Sequence, residues 1–364
     1  MADKGSDTVK VRRFKKRYLA LALLAGFLAY SYTWTSTPYG KLDWRAAFTL
    51  RTLTFAVPIE HGETKKQKIA IPINILFALS PLLPAENVQT TRDIKIPGNG
   101  VTIPARVYWP TGYDKAKPAP PVIVYFHGGG FVTGSVGLFD SLTRSIANSA
   151  GAIVVSVDYR LAPDHPWPAG PDDAYAATVW AAQNAAALGG DPARIVVGGD
   201  SAGGNLAAVV ALRARDNNGP ALAGQLLYYP VVDLTATRYP SQAKFENGYG
   251  LSSDAGTGFQ NAYLGQLTMQ QRADPYVSPI KAASLQGLPP VLLVTGGFDP
   301  LTDSAGDYAA RLRQAGVVVE HRNYSDIIHG FMSVPFFSQR REALDVTSDW
   351  IKKIAPVSAA PKTS

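Results

Sequence analysis

Residues Arg194–Arg215 read RIVVGGDSAGGNLAAVVALRAR: a β-branched run, then one serine among small residues, then an Ala-, Leu- and Val-rich run. The periodicity predicts a short buried strand over Arg194–Val197 and a helix over Asn205–Arg215. Gly199, Ala202, Gly203 and Gly204 leave room for a sharp bend and for close packing of strand on helix. The form G-x-S-x-G over Gly199–Gly203 is that of a nucleophile elbow. Such a turn projects the Ser201 hydroxyl into a cleft and aims the N–H groups after it at the substrate.

A serine hydroxyl is a weak nucleophile at neutral pH, so it needs a base, and the base needs an orienting acid. Behind an elbow these come in the order Ser, Asp or Glu, His. Only His321 and His329 come after Ser201. His321 falls inside an expected strand, VVVEHRNY, where a packed or surface histidine is the plainer reading. His329, in SDIIHGF, is expected beyond that strand and is the candidate base. For the acid, Asp299 ends the strand VLLVTGGFD and is the candidate. Asp303 falls in an expected first helical turn, where helix-terminus charge explains it, and Asp326 shares the loop of His329. The acyl oxyanion would need unobstructed backbone donors. HGGG, His127–Gly130, comes after the strand PVIVYF and can supply them together with Ala202. A phosphate loop is excluded there, because no Walker lysine is present and the glycine spacing is not that of a dinucleotide fold. His127 is read as holding this loop. Phe131, Trp167 and Phe331 are candidates for the pocket wall and equally for the core.

From Val88 onward strands alternate with helices, expected over Ser141–Ala150, Asp172–Leu188, Asn205–Arg215, Leu301–Ala315 and about Glu342–Ile354. TTRDIKIPG and VTIPARVYWP read as an antiparallel entry pair. This alternation predicts an α/β architecture, a mostly parallel sheet flanked by helices, with working residues beyond the strands' C-terminal ends. The stretch 233–289 is too long for one crossover. Its Phe245, Tyr249, Phe259 and Tyr263 suit a lid over an apolar cleft. Residues 41–87 hold two apolar stretches, WRAAFTLRTLTFAVP and IAIPINILFALSPLLP, read as short amphipathic helices that cover a pocket, as part of the same helical cap, or lie on a lipid surface. The catalytic domain is then 88–232 and 290–356.

The 364 residues carry a formal charge of +7 and no cysteine. Disulfides, thiolate metal sites and cysteine nucleophiles are therefore excluded. Lys4, Lys10, Arg12, Arg13, Lys15, Lys16 and Arg17 against Asp3 and Asp7 place five of the seven net charges before residue 18. A basic groove for nucleic acid is not supported. The next stretch, Tyr18–Gly40, has no charge. Residues 1–40 thus read as a basic-then-apolar segment. It fits an uncleaved membrane anchor, a cleaved export signal with Ala29-Tyr30-Ser31 as its nearest site, or a buried helix of the fold. Either of the first two places the body of the chain on the extracytoplasmic side.

The motifs YFHGGGF, VSVDYRLAPDHPWPA, GDSAGGNLA, GGFDPLTD and IHGF resemble those of the hormone-sensitive-lipase family of carboxylesterases, within the α/β-hydrolase fold, over about residues 88–354. The resemblance implies Ser201 as nucleophile, Asp299 as orienting acid and His329 as base. It implies an oxyanion hole from Gly128, Gly129, Gly130 and Ala202, with Gly128 shaping the loop, and a buttress from Tyr159, Arg160 and Asp164. The family more often has Glu where Asp164 stands, and a more charged segment after Asp299. Membrane-anchored esterases of the arylacetamide-deacetylase kind share the N-terminal layout. The implied activity is hydrolysis of short- to medium-chain carboxylic esters, a small-molecule substrate, without metal or cofactor. An amidase or acyltransferase on the same residues is the alternative. A silent binding protein, as plant gibberellin receptors are, is less in keeping with a chain that retains all three residues.

Overall fold

The computed structural model describes residues 25–26, 29–52, 54–61, 67–74 and 85–356. The basic cluster before residue 18, most of the apolar run after it, and residues 75–84 lie outside the described residues. Among the described residues no helix is long and apolar enough to cross a membrane.

Eight strands form one sheet: β1 Thr90–Pro97, β2 Thr102–Trp109, β3 Val122–Phe126, β4 Ile153–Val157, β5 Ile195–Asp200, β6 Gly224–Tyr228, β7 Val291–Phe298 and β8 Val319–Ile328. Their order is β8-β7-β6-β5-β3-β4-β2-β1. The entry hairpin β1–β2 is antiparallel, β2 runs antiparallel to β4, and every other pairing is parallel. Strands β3 to β6 are buried along their whole length. That is why they read as continuous apolar runs rather than alternations: both faces are covered.

The covering obeys the two-residue period of the strand. Val122, Val124 and Phe126 of β3 face one core, with helices α3 Ala169–Leu188, α4 Ala202–Asp216 and α7 Thr302–Gln314. Ile123 and Tyr125 face the other, with α1 Trp44–Thr52, α2 Asp140–Ala150 and α8 Ser338–Ile354. Within these layers α3 packs on α4 and α2 on α8.

The insertion 233–289 contributes α5 Pro240–Lys244 and α6 Ser253–Leu264. The Ser252 hydroxyl caps α6 by accepting from the Ala255 N–H at 3.2 Å. Residues 41–87 differ from the helical expectation. Among the described residues Trp44–Thr52 is helical as expected, whereas Thr54–His61 and Gln67–Asn74 form an antiparallel hairpin; the end of the second apolar stretch, 75–84, lies outside the described residues. The reason lies in the residue pattern. Phe55, Val57 and Ile59 alternate with a period of two, as do Ile69, Ile71 and Ile73, and the register pairs Phe55 with Ile73, Val57 with Ile71 and Ile59 with Ile69. The second strand of this hairpin lies against α6, so the cap mixes helix and strand.

Candidate active site

The turn from β5 to α4 is tighter than the sequence suggests. The strand runs on to Asp200 and the helix begins at Ala202, which leaves Ser201 alone to make the bend. It does so at φ 54° and ψ −116°, a conformation costly for a residue with a side chain, about 1–3 kcal/mol. The flanking glycines serve close approach instead. A Cβ on Gly203 would run into the Phe126 carbonyl oxygen at the end of β3. Ser201 also stands at the N-terminus of α4, where the unpaired N–H groups and the dipole favour negative charge.

Strands β7 and β8 bring in the partners. A bulge between Gly296 and Phe298 shifts the register so that Phe298 pairs with Ile328. Asp299 and His329, the next residue on each strand, therefore leave the sheet side by side. Since β8 extends to Ile328, SDII belongs to the strand and His329 is the first residue past it. Its Nδ1 lies 2.8 Å from Asp299 Oδ2, and its Nε2 lies 2.9 Å from Ser201 Oγ. An ionised carboxylate only accepts, so Nδ1 carries the proton and Nε2 is free to accept from the serine. Asp299 is fully buried, and its Oδ1 accepts from the Leu301 N–H at 2.8 Å, which locks the carboxylate.

The other residues weighed as base or acid are engaged elsewhere. His321 Nε2 lies 2.9 Å from the Thr295 hydroxyl, and burial pushes its pKa down. Asp303 accepts from the Ser241 N–H at 2.8 Å, tying α5 to the start of α7. Asp326 accepts from Gln339 at 3.1 Å.

The glycine loop arches over Ser201. His127 lies flat between Tyr159 and Phe139, with centroid distances of 4.5 and 5.4 Å, and its Nδ1 is 2.8 Å from the Gly128 carbonyl. The Tyr159 hydroxyl donates to the His127 carbonyl at 2.8 Å. Gly129, Gly130 and Phe131 all have positive φ, at 119°, 63° and 65°. The Gly129 and Gly130 N–H groups meet no backbone carbonyl among the described residues. Gly128 is different, because its N–H is bound to Asp200 Oδ1 at 3.0 Å, which removes it as an oxyanion donor. Its part is to shape the loop.

Sequence reasoning misses Asp200, yet a carboxylate beside the serine in an otherwise apolar strand is itself a signal. The same Oδ1 accepts from the Tyr125 hydroxyl at 2.8 Å. Burial pushes its pKa up to about 6, against the lowering effect of those hydrogen bonds. The folded chain then holds a proton here between about pH 4 and 6 where the unfolded chain has lost it. Stability from this group is present at the acid side and falls as pH rises through that window, by about 3 kcal/mol in all. Asp200→Asn keeps an acceptor at Oδ1 and removes the ionisation. Urea titrations at pH 4.5 and 7.5 are expected to show the wild-type midpoint falling over this interval more than the variant's; equal pH slopes would refute this account.

A cavity of about 220 Å³ opens above Ser201 and His329. Its apolar walls include Phe131, Val231, Leu234, Leu251, Phe259 and Ile328, and among the described residues no Lys or Arg side chain lines it. Phe131 thus stands in the wall, whereas Trp167 and Phe331 do not. Trp167 is half-buried behind it, with its backbone N–H donating to the Tyr263 carbonyl at 3.1 Å. Phe331 is fully buried between Tyr229 and Tyr324, because proximity to His329 in sequence does not say which way a ring turns. Tyr229 itself lines the cavity, 4.8 Å from the His329 ring. The buttress also differs from expectation. Asp164 is exposed, and Arg160 instead bonds the buried Asp173 at 2.7 Å through Nη2. Among the described residues no group of three His, Asp or Glu side chains is placed to hold a metal ion.

A hydroxyl, an imidazole of fixed tautomer and a buried carboxylate in a relay can perform acyl transfer. The profile of a family described as the α/β-hydrolase fold matches residues 123–333. The chain belongs to this hormone-sensitive-lipase-like family of α/β hydrolases. Its relatives in the family include carboxylesterase NlhH of Mycobacterium tuberculosis, 45% identical over 284 residues, which are 78% of this chain and 85% of that one. Esterase LipI of the same organism is 44% identical over 241 residues, 66% of this chain and 74% of LipI. The hyperthermophilic esterase from the archaeon Pyrobaculum calidifontis superposes with a TM-score of 0.71 at 42% identity, over 77% of this chain and 90% of that one.

Proposed function

We propose that this chain is a serine carboxylesterase that forms an acyl-enzyme on Ser201. His329 Nε2 takes the hydroxyl proton as Oγ attacks the ester carbonyl. The oxyanion is met by the N–H groups of Gly129, Gly130 and Ala202 at the positive end of α4. The imidazolium passes its proton to the departing alcohol; the neutral imidazole then takes one from the water that attacks the acyl carbonyl and returns it to Oγ as the acyl–Oγ bond breaks and the acid leaves. Asp299 fixes the tautomer and stabilises the imidazolium. The observation that carries this reading is the unbroken Ser201–His329–Asp299 relay on the floor of an apolar cavity.

The cavity, about 220 Å³, is smaller than the ~300–1,000 Å³ of pockets for drug-sized ligands, and among the described residues its apolar wall holds no cationic side chain. The substrate class is therefore a small uncharged ester. Across p-nitrophenyl esters, kcat/KM is expected to be highest at acetate to hexanoate and to fall at least about tenfold by laurate. A maximum at laurate or beyond would contradict the assignment of substrate size.

The N-terminus is proposed to anchor the chain in a membrane with its basic end on the cytoplasmic side. Exposed Tyr30, Tyr32, Tyr39 and Trp44, in and just after the uncharged run, support this, since such rings favour the lipid–water interface. Carbonate-washed membranes are expected to retain the chain with its first residues intact. A mature chain that begins near residue 31 and leaves the membrane fraction would replace the anchor with a cleaved signal.

A further inference from the structure

The oxyanion loop takes a conformation that its own sequence does not favour. Phe131 sits at φ 65°, directly after two glycines in the same half of φ space. An aromatic residue stays there only when its surroundings leave it no alternative. Below the loop, Asp200 holds Gly128. Above it, among the described residues, the ring contacts come from helix α6 of the cap.

Phe259 and Tyr263 are four residues apart on α6 and so share one face of it. The Phe259 ring covers Gly130 so closely that a Cβ on Gly130 would fall within it. Tyr263 stacks on Phe131 with centroids 3.9 Å apart and planes 5° from parallel. Both Tyr263 and Phe131 are buried. The same segment secures them, as the Ala162 N–H donates to the Phe131 carbonyl at 2.9 Å and the Trp167 N–H to the Tyr263 carbonyl at 3.1 Å.

We propose that α6 is a positioning element for catalysis: Phe259 over Gly130 and Tyr263 on Phe131 hold the oxyanion loop in its left-handed conformation, so that cap placement and oxyanion-hole geometry are one equilibrium. This rests on the reading that the Gly129 and Gly130 N–H groups stabilise the oxyanion. A cap that only encloses substrate would act through ground-state binding, mostly of long acyl chains. A cap that holds the donors acts on the transition state of every ester, including one too small to reach the cap wall. The Tyr263 hydroxyl has no hydrogen-bond partner among the described residues, so the ring alone carries the effect.

The test measures kcat and KM on p-nitrophenyl acetate for Phe259→Ala, Tyr263→Ala and Tyr263→Phe, with folding checked by circular dichroism. Both alanine variants are expected to lose at least about tenfold in kcat, part of the ~10²–10³ that a lost oxyanion donor costs, with KM within about twofold. Tyr263→Phe is expected to keep wild-type kcat. If an alanine variant fails to fold, the leucine substitution at that position takes its place, since it preserves burial but not the flat ring contact. Unchanged kcat on acetate with effects confined to KM of longer esters would overturn the proposal, as would equal losses in Tyr263→Phe and Tyr263→Ala. Wild type and Ser201→Ala are run alongside. An active wild type and a silent Ser201→Ala leave the esterase reading intact even if every α6 variant behaves as wild type.

Discussion

Ser201→Ala is expected to lower kcat on p-nitrophenyl acetate by about 10⁴–10⁶-fold while leaving the fold unchanged. The size comes from the relay. Without Oγ there is no acyl-enzyme, and only water placed in the cavity and polarised by the loop donors can react. The fold is spared because Oγ's hydrogen bond is to His329, at the floor of the cavity. The strained turn is built by the backbone, with the Ser201 N–H donating to the Tyr228 carbonyl and its carbonyl accepting from Asn205 and Val231. The thermal midpoint is therefore expected within a few degrees of wild type. Steady-state kinetics with a thermal melt on the same sample checks both halves.

Asp299→Asn is expected to cost about 10⁴-fold in kcat near neutral pH, for a different reason. The Leu301 N–H requires an acceptor at the Oδ1 position. An asparagine satisfies it with its carbonyl and so presents its NH₂ to His329 Nδ1. That donor forces the imidazole to carry its proton on Nε2, where it can no longer accept from Ser201. Geometry survives but the tautomer is reversed. Combined with Ser201→Ala, the substitution is expected to add little, because the two residues act as one unit. A double variant whose loss is the product of the single losses would show that they act independently.

Much of this arrangement is legible in the sequence alone. A lone serine among glycines, a histidine after the last strand and an aspartate closing the one before it each have a chemical reason to be where they are, and chain order limits the choices. Strands β3 to β8 and their helices are readable from apolar periodicity. Direction is not readable in this way. Trp167 and Phe331 flank the active loops in sequence but turn away from the cavity, and nothing in a linear pattern separates an inward ring from an outward one. Gly128 looks equivalent to its two neighbours until Asp200 is seen to claim its N–H. The segment 54–74 misleads because proline and charged residues interrupt an alternation that the hairpin register makes plain. The reach of α6 onto the glycine loop is a contact between residues more than a hundred positions apart, which no local signal carries.

The central claim is that Ser201 is a nucleophile because His329 and Asp299 make it one. Treating the chain with a fluorophosphonate and mapping the adduct by peptide mass spectrometry tests this most directly. The account predicts one adduct, on Ser201, formed with loss of activity and at least about 10³-fold more slowly in His329→Ala. Rapid loss of activity with the adduct on another residue, or labelling of Ser201 at an undiminished rate in His329→Ala, would contradict it.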